Sequence, residues 1–256
     1  MNDSEYDNWD KKITIIEMIY DANLDVDIPI CKIRDKKGFF FTSKMDIDAD
    51  GAYRACHPND IGFDSFGNVW WSLIPDPENP GDYIKQKSTD PAPGYYVIQT
   101  SLEFIFYDEN DPKRYVDSET IPYFVLPYPS YTSWGTKSFE EDVVLGDIGM
   151  VYNKANGRMA FAIFADAWPT DEAGISRIGE GSIKLACLLG MMGNPRNGGG
   201  TTKREIVYLV FPGSGAMREE PNKPITIEEI DRIGKRKFEE WGGMEQLKSI
   251  LHLANI

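Results

Sequence analysis

The sequence predicts a mainly β protein, a barrel or sandwich carrying one buried helix and a helical tail. Three observations lead there. Short apolar runs rich in aromatic and β-branched residues recur along the chain (WWSLI, GYYVIQTSL, YFVLPY, GDIGMVYN, MAFAIFADAW, EIVYLVF), separated by Gly, Pro, Asn and Asp. Hydrophobic residues make up 41% and aromatics 12% of the 256 residues, enough to bury a sizeable core. Two segments alone switch to helical spacing, which disfavours a doubly wound α/β sheet, where strands and helices alternate.

Residues 1–27 form a charged lead-in whose one apolar run, ITIIEMIYDA, is compatible with a strand or with a turn or two of helix. From Ile28 to Phe41, IPICKIRDKKGFFF reads as a hairpin closed by the DKKG turn. The strand-rich unit that starts there extends over 28–217. Within it, EGSIKLACLLGMM, residues 180–192, places Ile183, Leu185, Ala186, Leu188 and Leu189 at helical spacing with Gly193 as a stop. This predicts a buried helix opened by Glu180. NPRNGGGTTK, residues 194–203, reads as a flexible loop. In the tail, residues 218–256, Thr226 and Glu229 form a capping box ahead of a helix ending near Gly242. A shorter helix follows from Met244 to about His252, and both read as an appendage packed on the barrel. Trp70 with Trp71 and Tyr95 with Tyr96 are adjacent pairs on expected strands, so one of each pair is expected to face the core and the other the cleft or solvent.

Asp and Glu number 41 against 27 Lys and Arg, a formal charge of -14. Such a field repels phosphate backbones and attracts cations, which makes nucleic acid a poor partner. Cys31, Cys56 and Cys187 lack a C-x-x-C spacing and have only His57 and His252 to assist them, so neither a zinc site nor a dense disulfide framework is expected, although one disulfide stays open. No stretch reaches the ~18 apolar residues that span a bilayer, and MNDSEYDNWDKK shows no export signal. No cofactor and no resident metal are expected. One motif bears on metal: MDIDADGA sets Asp46, Asp48 and Asp50 at alternate positions before Gly51, like the first half of a calcium loop. The twelfth position, which should be a bidentate Glu, is His57. The alternative is a carboxylate cluster with one or two members facing a ligand cleft.

Cys56 and His57 are adjacent, and in an extended segment they point to opposite faces, which argues against a thiol–imidazole pair. Asp166 and Glu180 form a stronger candidate pair. Asp166 closes the apolar run MAFAIFAD, and Glu180 follows the polar loop TDEAGISRIG. A strand end and a helix start joined by a compact loop can bring two carboxyls to one cleft wall, one protonated to serve a leaving oxygen and one ionised to activate water. Without such a cleft, Asp166 would be a turn residue and Glu180 a dipole-favoured acid at a helix start.

The motifs MDIDADGA, HPND, WW, YVDSETIPYFVLP, LGDIGMVYN, NGRMAFAIFAD, IGEGSIKLACLLG and YLVFPGSG occur in order between about residues 28 and 215. Together they resemble the chitosanases of glycoside hydrolase family 75. The resemblance implies an endo-acting, inverting hydrolase of β-1,4-linked glucosamine polymer, with catalytic Asp166 (FAD) and Glu180 (GEGS) roughly 6.5–9.5 Å apart at their carboxyls. Glu180 is expected as general acid and Asp166 as general base, since burial near an apolar helix raises a carboxyl pKa. Asp147 (LGD), Asp117 and Glu119 (VDSE), Asp48 and His57 are the expected substrate-binding residues. Trp168 joins them, standing with Pro169 where the family carries Gly-Pro. Ala49 replaces a family Cys, which puts a disulfide there in doubt. The strand–Asp–loop–helix segment is also similar to double-psi β-barrels such as expansins and rare lipoprotein A. The expected fold is thus a six-stranded double-psi β-barrel core with added strands, one buried helix and C-terminal helices. An extracellular polymer substrate implies work outside the cell, without contact with membrane or nucleic acid. Two rivals stay open: a carbohydrate-binding or wall-loosening barrel without hydrolysis, and a hydrolase of another amino-sugar polymer such as peptidoglycan.

Overall fold

The computed structural model describes residues 12–129, 143–170, 177–220 and 222–253. Residues 1–11 of the polar lead-in and 171–176 of the loop before Glu180 lie outside the described residues. Eight strands form one sheet: β1 (Ile13–Asp21), β2 (Val26–Ile33), β3 (Phe39–Asp48), β4 (Tyr123–Pro129), β5 (Ile148–Asn153), β6 (Met159–Thr170), β7 (Glu180–Ser182) and β8 (Thr201–Phe211). Their order is β1-β2-β3-β7-β4-β6-β5-β8, and β8 pairs back onto β3. The last six therefore close a mixed barrel, with β3–β7 and β4–β6 parallel, and β1 and β2 lie outside it as an antiparallel hairpin. The lead-in run is a strand, and the DKKG segment turns the chain from β2 to β3 with Asp35 and Gly38 at positive φ.

The helices are α1 (Phe66–Val69), α2 (Ile183–Leu188), α3 (Ile227–Trp241) and α4 (Gly243–Leu253). In α3, Thr226 accepts from Glu229 N as a cap, and Gly242 ends the helix. The tail explains why FFF and IVYLVF are unbroken apolar runs, since a strand buried on both faces has no polar face to alternate with. Phe39, Phe41, Tyr208 and Val210 fill the inner core. Phe40, Leu209 and Phe211 point outward and are covered by Phe238, Trp241, Leu247 and Ile250 of α3 and α4. The docking is close: a Cβ at Gly234 would stand 2.5 Å from the Phe161 ring on β6. Gly→Ala normally favours an exposed helix by up to about 1 kcal/mol. Gly234→Ala is expected to reverse that sign and cost about 1–3 kcal/mol through overpacking; a thermal melt reads the sign directly.

Four local expectations are corrected. WWSLI opens on a 3-10 turn, Trp70–Ser72, that directly follows α1, so the alternation argued for Trp70 and Trp71 fails. Both indoles are exposed and lie against each other with ring centroids 3.6 Å apart. GYYVIQTSL is irregular, tied by isolated bridges at Tyr96 and Ile98. Glu180 opens β7, and Ser182 caps α2 by accepting from Leu185 N. Asp166 lies inside β6, which continues to Thr170. The cysteines are free, with Cys31 and Cys56 buried.

Candidate active site

A cleft of about 880 Å³ opens on the outer flank of the barrel. Alternation along β3 places Met45 and Ile47 in the core and turns Asp46 and Asp48 to the cleft. Asp46 lies in register with Glu180 on the neighbouring parallel strand β7.

A bulge brings Asp166 to the same wall. Phe124 of β4 pairs with Phe164 of β6, but Val125 pairs with Asp166, which leaves Ala165 as the extra residue. Without it Asp166 would face Leu126, a core residue; with it Ala167 takes that place and Asp166 turns to the cleft. Val125 also pairs with Glu180 on its other side. Asp166 and Glu180 therefore flank Val125, two strand spacings or roughly 9–10 Å apart at the backbone, and all three line the cleft.

Burial raises both carboxyls, but their partners differ. One oxygen of Asp166 accepts from Ser101 N at 3.0 Å, Ser101 Oγ at 2.5 Å and Ala167 N at 2.8 Å. Burial raises its pKa, and those donors, with a hydrogen bond from Asp48, pull it back. Glu180 is partly exposed at the cleft wall. Burial pushes it up to about 7; Asp46 and Asp166 add to the rise, while Lys44 and Arg177 oppose it.

Asp48, Asp50 and Asp166 bring carboxylate oxygens within 4.8 Å of one another. Burial and mutual repulsion raise Asp48 and Asp50 well above the usual carboxylate range, so the cluster shares protons rather than carrying three charges. Asp48 accepts from Asp50 N at 2.8 Å, and Asp50 accepts from the Ser72 hydroxyl. Asp46, first of the alternating aspartates, instead engages Lys44 and Asn23. The three alternating aspartates thus do not converge as a calcium loop would require.

Of the residues expected to bind substrate, Asp48 and Trp168 line the cleft, and the Arg177 guanidinium sits 4.1 Å over the Trp168 ring. The other four have partners of their own away from its lining. Asp147 is fully buried and accepts from the backbone N–H groups of Val144, Gly213 and Gly215. Asp117 accepts from Glu119 N and Thr120 Oγ1, and Glu119 pairs with Arg54 at 2.5 Å. His57 accepts from Asn59 N and lies edge-on to Tyr95. Asp50, Ser101, Trp71 and Arg177 line the cleft without having been singled out as site residues. Asp50 had a signal in the Asp-x-Asp-x-Asp-Gly spacing; Ser101 had none, because it meets Asp166 from 65 positions away.

Among the described residues no helix is long and apolar enough to cross a membrane. No curated protein matches the chain. The family model described as fungal chitosanase of glycosyl hydrolase group 75 matches residues 45–240, a span that includes the whole cleft wall from Asp46 to Glu180. The chain belongs to that family and is a glycoside hydrolase of the chitosanase type.

Proposed function

We propose that the protein cleaves β-1,4-linked glucosamine polymer internally, by single displacement with inversion at the anomeric carbon. The observation that carries this reading is the placement of Asp166 and Glu180 on either side of Val125, facing one cleft. Two strand spacings leave room for a sugar and a water between the carboxyls, as inversion needs. Glu180, its proton retained up to about 7, gives that proton to the glycosidic oxygen. Asp166, whose charged form the Ser101 and Ala167 donors favour against the burial that raises its pKa, takes a proton from the water as the water oxygen bonds to the anomeric carbon from the opposite face. Both carboxyls then return to their starting states by exchange with solvent.

Asp46, Asp48, Asp64 and Glu103 add carboxyls to the lining, which suits the ammonium groups of the polymer. Trp71, 71% exposed in that lining, offers a face to a sugar ring, and Trp168 contributes on the side not taken by Arg177. Asp147, Asp117, Glu119 and His57 act through the fold. We assign the work to the outside of the cell, where such a polymer lies.

Chitosan, chitin and peptidoglycan offered separately test this reading, with reducing ends counted and the first product's anomer read by proton NMR. Chitosan is expected to be cleaved fastest, with the α anomer appearing first. Cleavage of peptidoglycan alone, release of no reducing ends, or a β anomer first would overturn it.

A further inference from the structure

Behind the cleft lies a buried ion network that begins ahead of the residues matched by the family. Lys44 is 2% exposed, a rare state for a lysine. It stands on β3 two residues before Asp46, so the two side chains share the face that sets Asp46 beside Glu180. The Lys44 ammonium pairs with Asp46, and it lies 3.9 Å from Oδ2 of Asp21. Asp21 is fully buried at the end of β1, where its other oxygen accepts from Asn23 N at 2.9 Å and Leu24 N at 3.2 Å. Those bonds shape the β1–β2 turn, and Asn23 Nδ2 reaches on to Asp46 at 3.2 Å. From β8, the Tyr208 hydroxyl donates to the Lys44 carbonyl at 3.1 Å. The turn, β3 and β8 thus meet directly behind Glu180.

We infer that Lys44 is a positioning residue of the active site: anchored from behind by Asp21, it fixes Asp46 beside Glu180 and supplies the buried positive charge that Glu180 faces. The inference rests on Glu180 being the acid. The charged and titratable groups around Glu180 are Asp46 and Lys44 on β3, Asp48 and Asp50 at and just past its end, Asp166 on β6, Arg177 before β7 and Tyr208 on β8. Asp46 and Lys44 act on it in opposite senses, so removing one or the other has opposite consequences. A lysine that served stability alone would leave the pH profile in place when replaced.

Lys44→Met, Asp46→Asn and the double variant, their folding checked by circular dichroism, test this through kcat against pH on a soluble glucosamine hexamer. The substrate's own amines titrate equally for each protein, so differences between profiles report the enzyme. Lys44→Met is expected to move the alkaline limb up by about 0.5–1 pH unit and Asp46→Asn to move it down by a similar amount, with the double variant near wild type. Should Lys44→Met fail to fold, Asp46→Asn still decides, because Asp46 is 40% exposed at its side chain. A folded variant with its limb unmoved, or both limbs moving the same way, overturns the inference. Glu180→Gln separates the two failures. If it keeps turnover, the acid assignment itself falls; if it is inactive while the Lys44→Met and Asp46→Asn limbs stay put, only the role of Lys44 does.

Discussion

Glu180→Gln and Asp166→Asn are each expected to lower kcat on glucosamine polymer by roughly 10²- to 10⁴-fold, the range general acid–base groups supply. Both changes keep side-chain shape, so the loss comes from the missing proton or the missing base. The wild-type profile should be bell-shaped. Its alkaline limb falls through about 7 as Glu180 ionises, and its acid limb falls where Asp166, raised above the usual carboxylate value, takes up a proton. Stability separates lost chemistry from lost fold. A carboxyl whose pKa is higher in the folded chain contributes stability that is complete below its unfolded value and is lost as pH rises through its folded value. For Glu180 that window runs from 4.5 to about 7. Glu180→Gln, which carries no such loss, should therefore melt at or above the wild-type temperature at pH 8. An inactive variant that melts well below wild type there would count against the assignment.

Gly51→Ala is expected to damage fold and site together. Gly51 has φ of +74°, and a Cβ there would stand 2.1 Å from the Val116 carbonyl oxygen and 2.9 Å from Thr100 Cγ2. Neither neighbour can withdraw freely: Thr100 Oγ1 accepts from Val116 N and donates to the Leu102 carbonyl. The turn must shift, carrying Asp48 and Asp50 with it, while pressure on Thr100 reaches Ser101 and its bonds to Asp166. Backbone strain of about 1–3 kcal/mol and overpacking of similar size add to about 2–6 kcal/mol, a fall in Tm of roughly 4–24 °C for a chain of this size. Gly81→Ala is the control, at φ of +95° with nothing within 4 Å of the new Cβ, and should show the strain alone. Equal losses in the two variants would mean that the close approach at Gly51 carries no weight.

The parts of the fold that were legible in the sequence are those whose signal is local. MAFAIFA and EIVYLVF read as strands because two buried faces leave an unbroken apolar run, and Thr226 marked the start of α3 because a cap acts within three residues. Of the site residues singled out from the sequence, Asp48, Asp166, Trp168 and Glu180 line the cleft, and Asp117, Glu119, Asp147 and His57 do not. How Asp166 and Glu180 reach it was not legible. Strand alternation from Phe164 sends Asp166 inward, and only the partner strand reveals the bulge at Ala165. EGS reads as a helix start because acids favour that position, yet its pairing with Asp46 and Val125 makes it a strand. WWSLI misled because aromatic enrichment marks strands without excluding a 3-10 turn. Ser101 meets Asp166, and Lys44 meets Asp21, across separations that no spacing rule covers.

The pairing of β3 with β8 also bears on how the chain folds. Phe39 lies opposite Val210, and Ser43 opposite Ile206, so the seam joins segments more than 150 positions apart. Until Thr201–Phe211 has left the ribosome, the earlier strands form only an open sheet with raw edges on β3 and β5. Assembly must wait for that last strand, which makes it slow, with the exposed intermediate the species most prone to self-association.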